Sequence, residues 1–199
     1  MTGVQTCALP IYPPIVGVNA HSGDPHYDPT AATSAPICEG DFVLLDLWAK
    51  TNGPDSVYYD ITWTGVLGSP SDKQREVFEI VRDARNVGID KVKQAFEAKQ
   101  KIQGWEVDEA VRGYIAGKGY GKYFIYRTGH SIGRDIHANG ANLDNLETKD
   151  DRDILPNTCF SIEPGIYLPE FGVRSEINMM IRNGKGEVTG RVQNELVLV

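Results

Sequence analysis

The sequence predicts an α+β domain, an antiparallel sheet with helices on one face. Three observations lead there. Apolar, β-branched runs gather toward the two ends of the 199-residue chain, at 42–49, 57–68 and 158–178. Turn-forming residues divide these runs, as in hairpins. Between the two ends, apolar residues recur at helical spacing from Val77 to Phe96 and again from Val107 to Ile115.

The elements follow in order. Residues 1–11, MTGVQTCALPI, look like a translated sequencing adaptor, read from a GTG start into the first authentic codon. On that reading they are set aside, Cys7 leaves the cysteine count, and residues 12–199 form a single domain without its N-terminal part. A signal peptide is the other reading. It fits poorly, because no basic region leads it and Pro10, Pro13 and Pro14 interrupt the apolar run. A strand is expected at 15–20, then a polar loop at 21–35 that holds His21 and His26. Glu39-Gly40-Asp41 turns the chain into a first hairpin. Asp46 and Asp60 each lie seven residues from Gly53, so the two aspartates are expected face to face.

Ser71 starts a helix, with Gln74 completing a capping box. Gly88 is expected to bend or break it. A second helix ends near Gly117 and Gly119, as helices often do at glycine. Both helices read as packing elements. Residues 123–128 lead into Gly129-His130-Ser131-Ile132-Gly133-Arg134-Asp135-Ile136-His137, and 139–153 form an acidic loop. The last hairpin turns on Leu168-Pro169-Glu170-Phe171-Gly172. Its midpoint sets Glu163 opposite Glu176. Further strands are expected at 177–181 and 196–199.

Composition narrows the function. A net charge of −7 and a pI of about 5.1, without a basic block, argue against nucleic acid and anionic membrane as partners. No apolar run approaches the ~20 residues of a membrane span. Cys38 and Cys159 stand alone in sequence, without a CxxC motif, which suits reduced, buried thiols of a cytoplasmic protein.

Like charges directly opposite on paired strands repel, so two opposed carboxylate pairs call for a shared cation. Asp46, Asp60, His130, Glu163 and Glu176 are the candidate set. Carboxylates with one imidazole suit manganese, cobalt, iron or zinc rather than a thiolate site. Two such ions lower the pKa of bound water and polarise a carbonyl, which is hydrolytic chemistry. Each residue alone has a plainer reading: an edge aspartate, a hydrogen-bonded core histidine, a turn at Glu163-Pro164-Gly165.

Five segments in order resemble the pita-bread metallopeptidases, the Xaa-Pro aminopeptidases and Xaa-Pro dipeptidases, and more distantly methionine aminopeptidase. They are Asp24-Pro25-His26-Tyr27, the Asp46/Asp60 hairpin, Gly129-His130 with His137 seven residues on, Ser161-Ile162-Glu163-Pro164-Gly165, and Gly172-Val173-Arg174-Ser175-Glu176. The resemblance implies a pita-bread fold, with 12–199 as a catalytic domain missing its N-terminal part. It implies two divalent ions, manganese first among cobalt, zinc and iron alternatives, and a hydroxide held between them. Asp46 would ligate one ion, His130 and Glu163 the other, and Asp60 and Glu176 would bridge. Glu163 would also move the proton. His137 would hydrogen-bond substrate and steady the oxyanion, His26 would line the substrate pocket, and Arg174 would orient carboxylates beside the substrate. The implied reaction cuts after the N-terminal residue of a peptide, with Xaa-Pro peptides foremost. The full-length parent would be a cytoplasmic homodimer.

Some residues depart from the family pattern. Leu47-Trp48 follows Asp46 where Asp-x-Gly is common, and Trp63 stands where arginine is common. The spacing of the two aspartates is also longer than usual. Two other readings share the fold: a metal-free creatinase-like hydrolase and a non-enzymatic peptide-binding module. Both tend to lose metal ligands, whereas all five positions here carry competent side chains.

Overall fold

A computed structural model describes residues 7–8 and 13–199. The rest of the 1–11 segment read as adaptor lies outside the described residues. The elements are β1 (Cys7–Ala8), β2 (Ile15–Val18), β3 (Phe42–Thr51), β4 (Tyr59–Val66), α1 (Asp72–Glu97), α2 (Gly104–Gly117), β5 (Ser131–Ile132), β6 (Cys159–Ile162), β7 (Gly165–Tyr167), β8 (Gly172–Arg174), β9 (Ile177–Arg182), β10 (Lys185–Thr189) and β11 (Val197–Leu198). The first strand stops at Val18, where Asn19–Gly23 forms a 3-10 turn instead of continuing to residue 20. Strand β10 was not foreseen, because its Lys185-Gly186-Glu187 start is too polar to register as a strand.

β3 and β4 pair antiparallel, with β2 and β1 on the far side of β3. β11 joins β4 in parallel, an exception to an otherwise antiparallel pattern. A second sheet runs β10-β9-β6-β5, and β7 and β8 form a separate two-stranded ribbon.

The first hairpin departs from expectation. Asp46 pairs with Thr62, and Asp60 pairs with Trp48. The pairing is centred on Pro54, one residue later than Gly53, so the two aspartates sit diagonally rather than face to face. An offset of two keeps both side chains on one face, because strand periodicity is two. The second hairpin follows expectation. Ile162 pairs with Ile177 and Gly165 with Arg174. The same register sets Glu163 opposite Glu176.

The Ser71 cap forms as predicted. Its hydroxyl accepts from the Gln74 amide at 3.2 Å, and the Gln74 side chain accepts from the Ser71 amide at 2.8 Å. α1 runs through Gly88 without a break, contrary to expectation. A Cβ there would meet Ile162 Cγ2 and Val111 Cγ2 at 3.1 Å, so the glycine allows close packing at this point. Val77, Val81 and Ala84 of α1 pack with Val111 and Ile115 of α2 and with Ile166 and Val173 of the β7–β8 ribbon. Val92 and Val107 pack over Ile162, Ile177, Met179 and Ile181.

Candidate metal centre

The candidate side chains converge because strand alternation points them the same way. Phe42, Leu44 and Asp46 face inward on β3, as Asp60, Thr62 and Thr64 do on β4. Glu163 follows β6 and Glu176 precedes β9. His130 enters beside β5, where Gly129 allows close approach: a Cβ on Gly129 would lie 2.1 Å from the Ser161 carbonyl oxygen.

Ligand atoms of Asp60, His130 and Glu176 all lie within 4.8 Å of one another, and all three residues are buried. His130 Nε2 is 3.4 Å from Asp60 Oδ2 and 3.3 Å from Glu163 Oε1. Asp46 stands apart from this trio. Its Oδ2 is bound by Arg174, whose Nε also donates to Thr62 Oγ1 at 3.0 Å. Arg174 Nη1 donates to the Pro25 carbonyl at 3.2 Å and the Tyr167 hydroxyl at 3.3 Å.

Several positioning groups escaped the sequence reading. Thr62 donates to Glu176 Oε2 at 2.7 Å. Asn178 grips the backbone of Asp60 at both ends, at 2.9 and 2.6 Å. Ser161 donates to Glu163 Oε1 at 3.0 Å and accepts from the His130 amide at 3.0 Å. Arg85, buried on α1, donates to Ser175 Oγ at 2.7 Å and the Gln193 carbonyl at 2.6 Å. The signal available was period-two spacing: Thr62 is two residues from Asp60, Asn178 two from Glu176, and Ser161 two from Glu163.

The electrostatics are those of a site built for positive charge. Burial raises Asp46 to about 6, against the lowering pull of Arg174. Burial raises Asp60 as well. Burial, then the Asp60, Glu163 and Asp46 charges, hold Glu176 well above the carboxylate range. Burial opposes charge on His130, but Asp60 and Glu163 outweigh it and raise its pKa. Asp46 Oδ1, Asp60 Oδ1 and Glu176 Oε1 are buried with no hydrogen-bond partner among the described residues. Such oxygens are costly to bury unless a cation or donor meets them.

The centre opens into a cleft of about 400 Å³. Asp46, Trp48, Asp60, His130, Glu163 and Arg174 line it, together with Pro25, His26, Tyr126, Ile136 and His137. His137 meets His130 edge to face at 4.4 Å, and His26 meets Tyr126 the same way at 4.9 Å. Burial, then the His130 and Arg127 charges, push His137 down to about 4.

The model of metallopeptidase family M24 matches residues 3–183. A Xaa-Pro dipeptidase of Lactobacillus helveticus is 39% identical over 81% of the chain and 40% of its own length. A Xaa-Pro dipeptidase of Pyrococcus furiosus is 34% identical over 94% of the chain and 50% of its own length. The crystal structure of a Thermococcus sibiricus prolidase superposes with a TM-score of 0.80 at 34% identity, over 94% of the chain and 47% of that structure. The chain therefore spans about half the length of these relatives. With two helices packed against largely antiparallel sheets, it has the pita-bread fold of its structural neighbours.

Proposed function

The chain belongs to metallopeptidase family M24, and from that premise we propose that it hydrolyses the bond after the N-terminal residue of Xaa-Pro peptides. The observation that carries this reading is the set of buried, unpartnered carboxylate oxygens on Asp46, Asp60 and Glu176 beside His130. That donor set fits hard or borderline divalent ions. Asp46, Asp60, His130, Glu163 and Glu176 would hold two of them, manganese foremost. When bound, they supply Lewis acidity and a water of lowered pKa.

The chain's own residues do the rest. Glu163, held by Ser161 at 3.0 Å, takes the proton of the attacking water and returns it to the leaving amine. His137, neutral at physiological pH with its pKa near 4, donates an N–H to the developing oxyanion. Arg174 and Thr62 hold the carboxylates in place from behind. Trp48, His26 and Tyr126 confine the peptide.

Among the described residues no helix is long and apolar enough to cross a membrane. Cys38 is exposed and Cys159 half-buried, not both buried as expected, and the cytoplasm stands as the proposed location on the isolated spacing of these cysteines in the sequence. The homodimer stands as a further part of the proposal, checked by light scattering. The test of function is metal content after manganese loading and gel filtration, followed by hydrolysis of Ala-Pro. About two ions per chain with turnover is the expected result. A folded chain that binds no metal would overturn the proposal.

A further inference from the structure

We propose that the tip of the first hairpin clamps the loop that carries His137, with Lys50 as the positioning residue. The proposal rests on the peptidase reading and deepens it. The metal ligands do not use the whole hairpin. β3 runs past Asp46 to Thr51, and residues 52–58 turn the chain into β4. This stretch is what lengthens the spacing of the two aspartates. Asp46, Trp48 and Lys50 are alternate residues of β3, so their side chains leave the same face of the strand.

The tip meets the loop after β5 three times. The Tyr58 amide donates to the Gly133 carbonyl at 2.9 Å. Lys50 Nζ donates to the Arg134 carbonyl at 2.6 Å and lies 4.6 Å from the ring centroid of Tyr58. Arg134 Nη2 pairs with Asp55 Oδ1 at 2.8 Å. At its base the loop is closed by the Ala138 amide, which donates to the Ser131 carbonyl at 2.8 Å. Between these two anchors stand Ile136 and His137, both lining the cleft.

An oxyanion donor works only when its N–H is held in place beforehand. A displacement of about 1 Å can cost about a hundredfold in rate. Residues 133–138 belong to no helix or strand, and the ring of His137 rests edge to face on His130 with centroids 4.4 Å apart. That contact lets the ring slide, so the loop backbone sets its place. The Arg134–Asp55 pair contributes little, because its side chains are 71% and 81% exposed. The Tyr58 contact is made by backbone alone. Lys50 is the side chain that holds the loop, as a charged donor on a carbonyl.

The test measures metal content, and kcat and KM for Ala-Pro, in the manganese-loaded protein. It compares the wild type with Lys50→Met, Lys50→Arg, His137→Ala and the double variant Lys50→Met with His137→Ala. Matching thermal melts control for folding. Lys50→Met is expected to lower kcat about three- to tenfold, with KM within about twofold and metal content unchanged, since a loosened donor weakens binding of the transition state alone. Lys50→Arg should recover most of kcat, because a guanidinium can donate to the same carbonyl. In the His137→Ala background, Lys50→Met should change kcat by less than about 1.5-fold. The same loss in both backgrounds, a fall in metal content, a loss confined to KM, or no loss would overturn the clamp. Hydrogen exchange at the amides of Tyr58, Gly133 and Ala138 is a second measurement, independent of turnover. Faster exchange in Lys50→Met supports the clamp, and unchanged exchange overturns it. If the wild type hydrolyses nothing, the peptidase reading falls, and exchange alone decides whether Lys50 holds the loop.

Discussion

The two carboxylate-bearing hairpins solve the same problem with different support. The second hairpin is buried on both faces: Ile162, Val173 and Ile177 are sealed under α1 and α2, and Glu163 stands opposite Glu176. The first buries only its site face. Leu45 and Leu47 on its outer face are 43% and 38% exposed, and with Ile61 and Trp63 they line a shallow apolar groove of about 350 Å³. Its aspartates sit diagonally, and Arg174 from the second hairpin reaches across to hold Asp46. The well-packed hairpin therefore holds the less-covered one through several contacts: Arg174 on Asp46, Asn178 on the Asp60 backbone, and Glu176 accepting from Thr62. Buried charge is tolerated where the surrounding elements are rigid enough to supply its partners.

The largest expected effect tests the site the hairpins share. Asp60→Asn should lower metal content to near zero and activity by about a thousandfold or more, since it removes a charged oxygen from the centre. Elemental analysis beside an Ala-Pro assay checks this, and retained metal at wild-type level would refute the assignment of Asp60. Next comes the contrast in packing. Ile177→Ala on the covered hairpin should cost about 2–5 kcal/mol in urea unfolding, while Leu47→Ala on the exposed face should cost under about 1 kcal/mol. Similar costs at both positions would mean that the outer face of the first hairpin is covered in solution.

The third prediction concerns charge. Asp46, Asp60 and Glu176 all have folded pKa values above their ordinary ones. Raised acids bind more protons folded than unfolded, so their contribution falls as pH rises above the unfolded value of about 4. The metal-free chain should thus melt lower at pH 7 than at pH 5.5 on their account, and Glu176→Gln should flatten that fall. A pH profile unchanged by Glu176→Gln would count against the repulsive cluster. Metal loading should reverse the trend, because the ions neutralise the same charges. Fourth, Gly88→Ala should fail to deliver the gain of about 1 kcal/mol usual for a helix interior. Its new methyl meets Ile162 and Val111 at 3.1 Å, so net destabilisation is expected in a thermal melt. A clear gain in stability would show that this seam has room.

Local patterns made much of this legible. Turn-flanked apolar runs placed Asp46 and Asp60 on strands and set Glu163 opposite Glu176, although these two sit just beyond the ends of β6 and β9, and the Ser71–Gln74 spacing marked the start of α1, because each signal involves neighbours within a few residues. The first-hairpin register was misjudged by a single residue in its centre, since a five-residue run of turn formers does not say which one lies at the apex. The break expected at Gly88 is absent because glycine in a helix can mark a close approach as well as an end, and only the neighbouring strand tells which.

The sequence by itself determined most of the elements, the α+β class and the residue types able to hold a metal, since these depend on periodicity and side-chain chemistry. Only the tertiary structure decided that Arg174 binds Asp46 and that Asn178 fixes the Asp60 backbone across 118 residues of chain. These are contacts between segments far apart in sequence. Their geometry depends on how sheets and helices stack, and no local pattern encodes that.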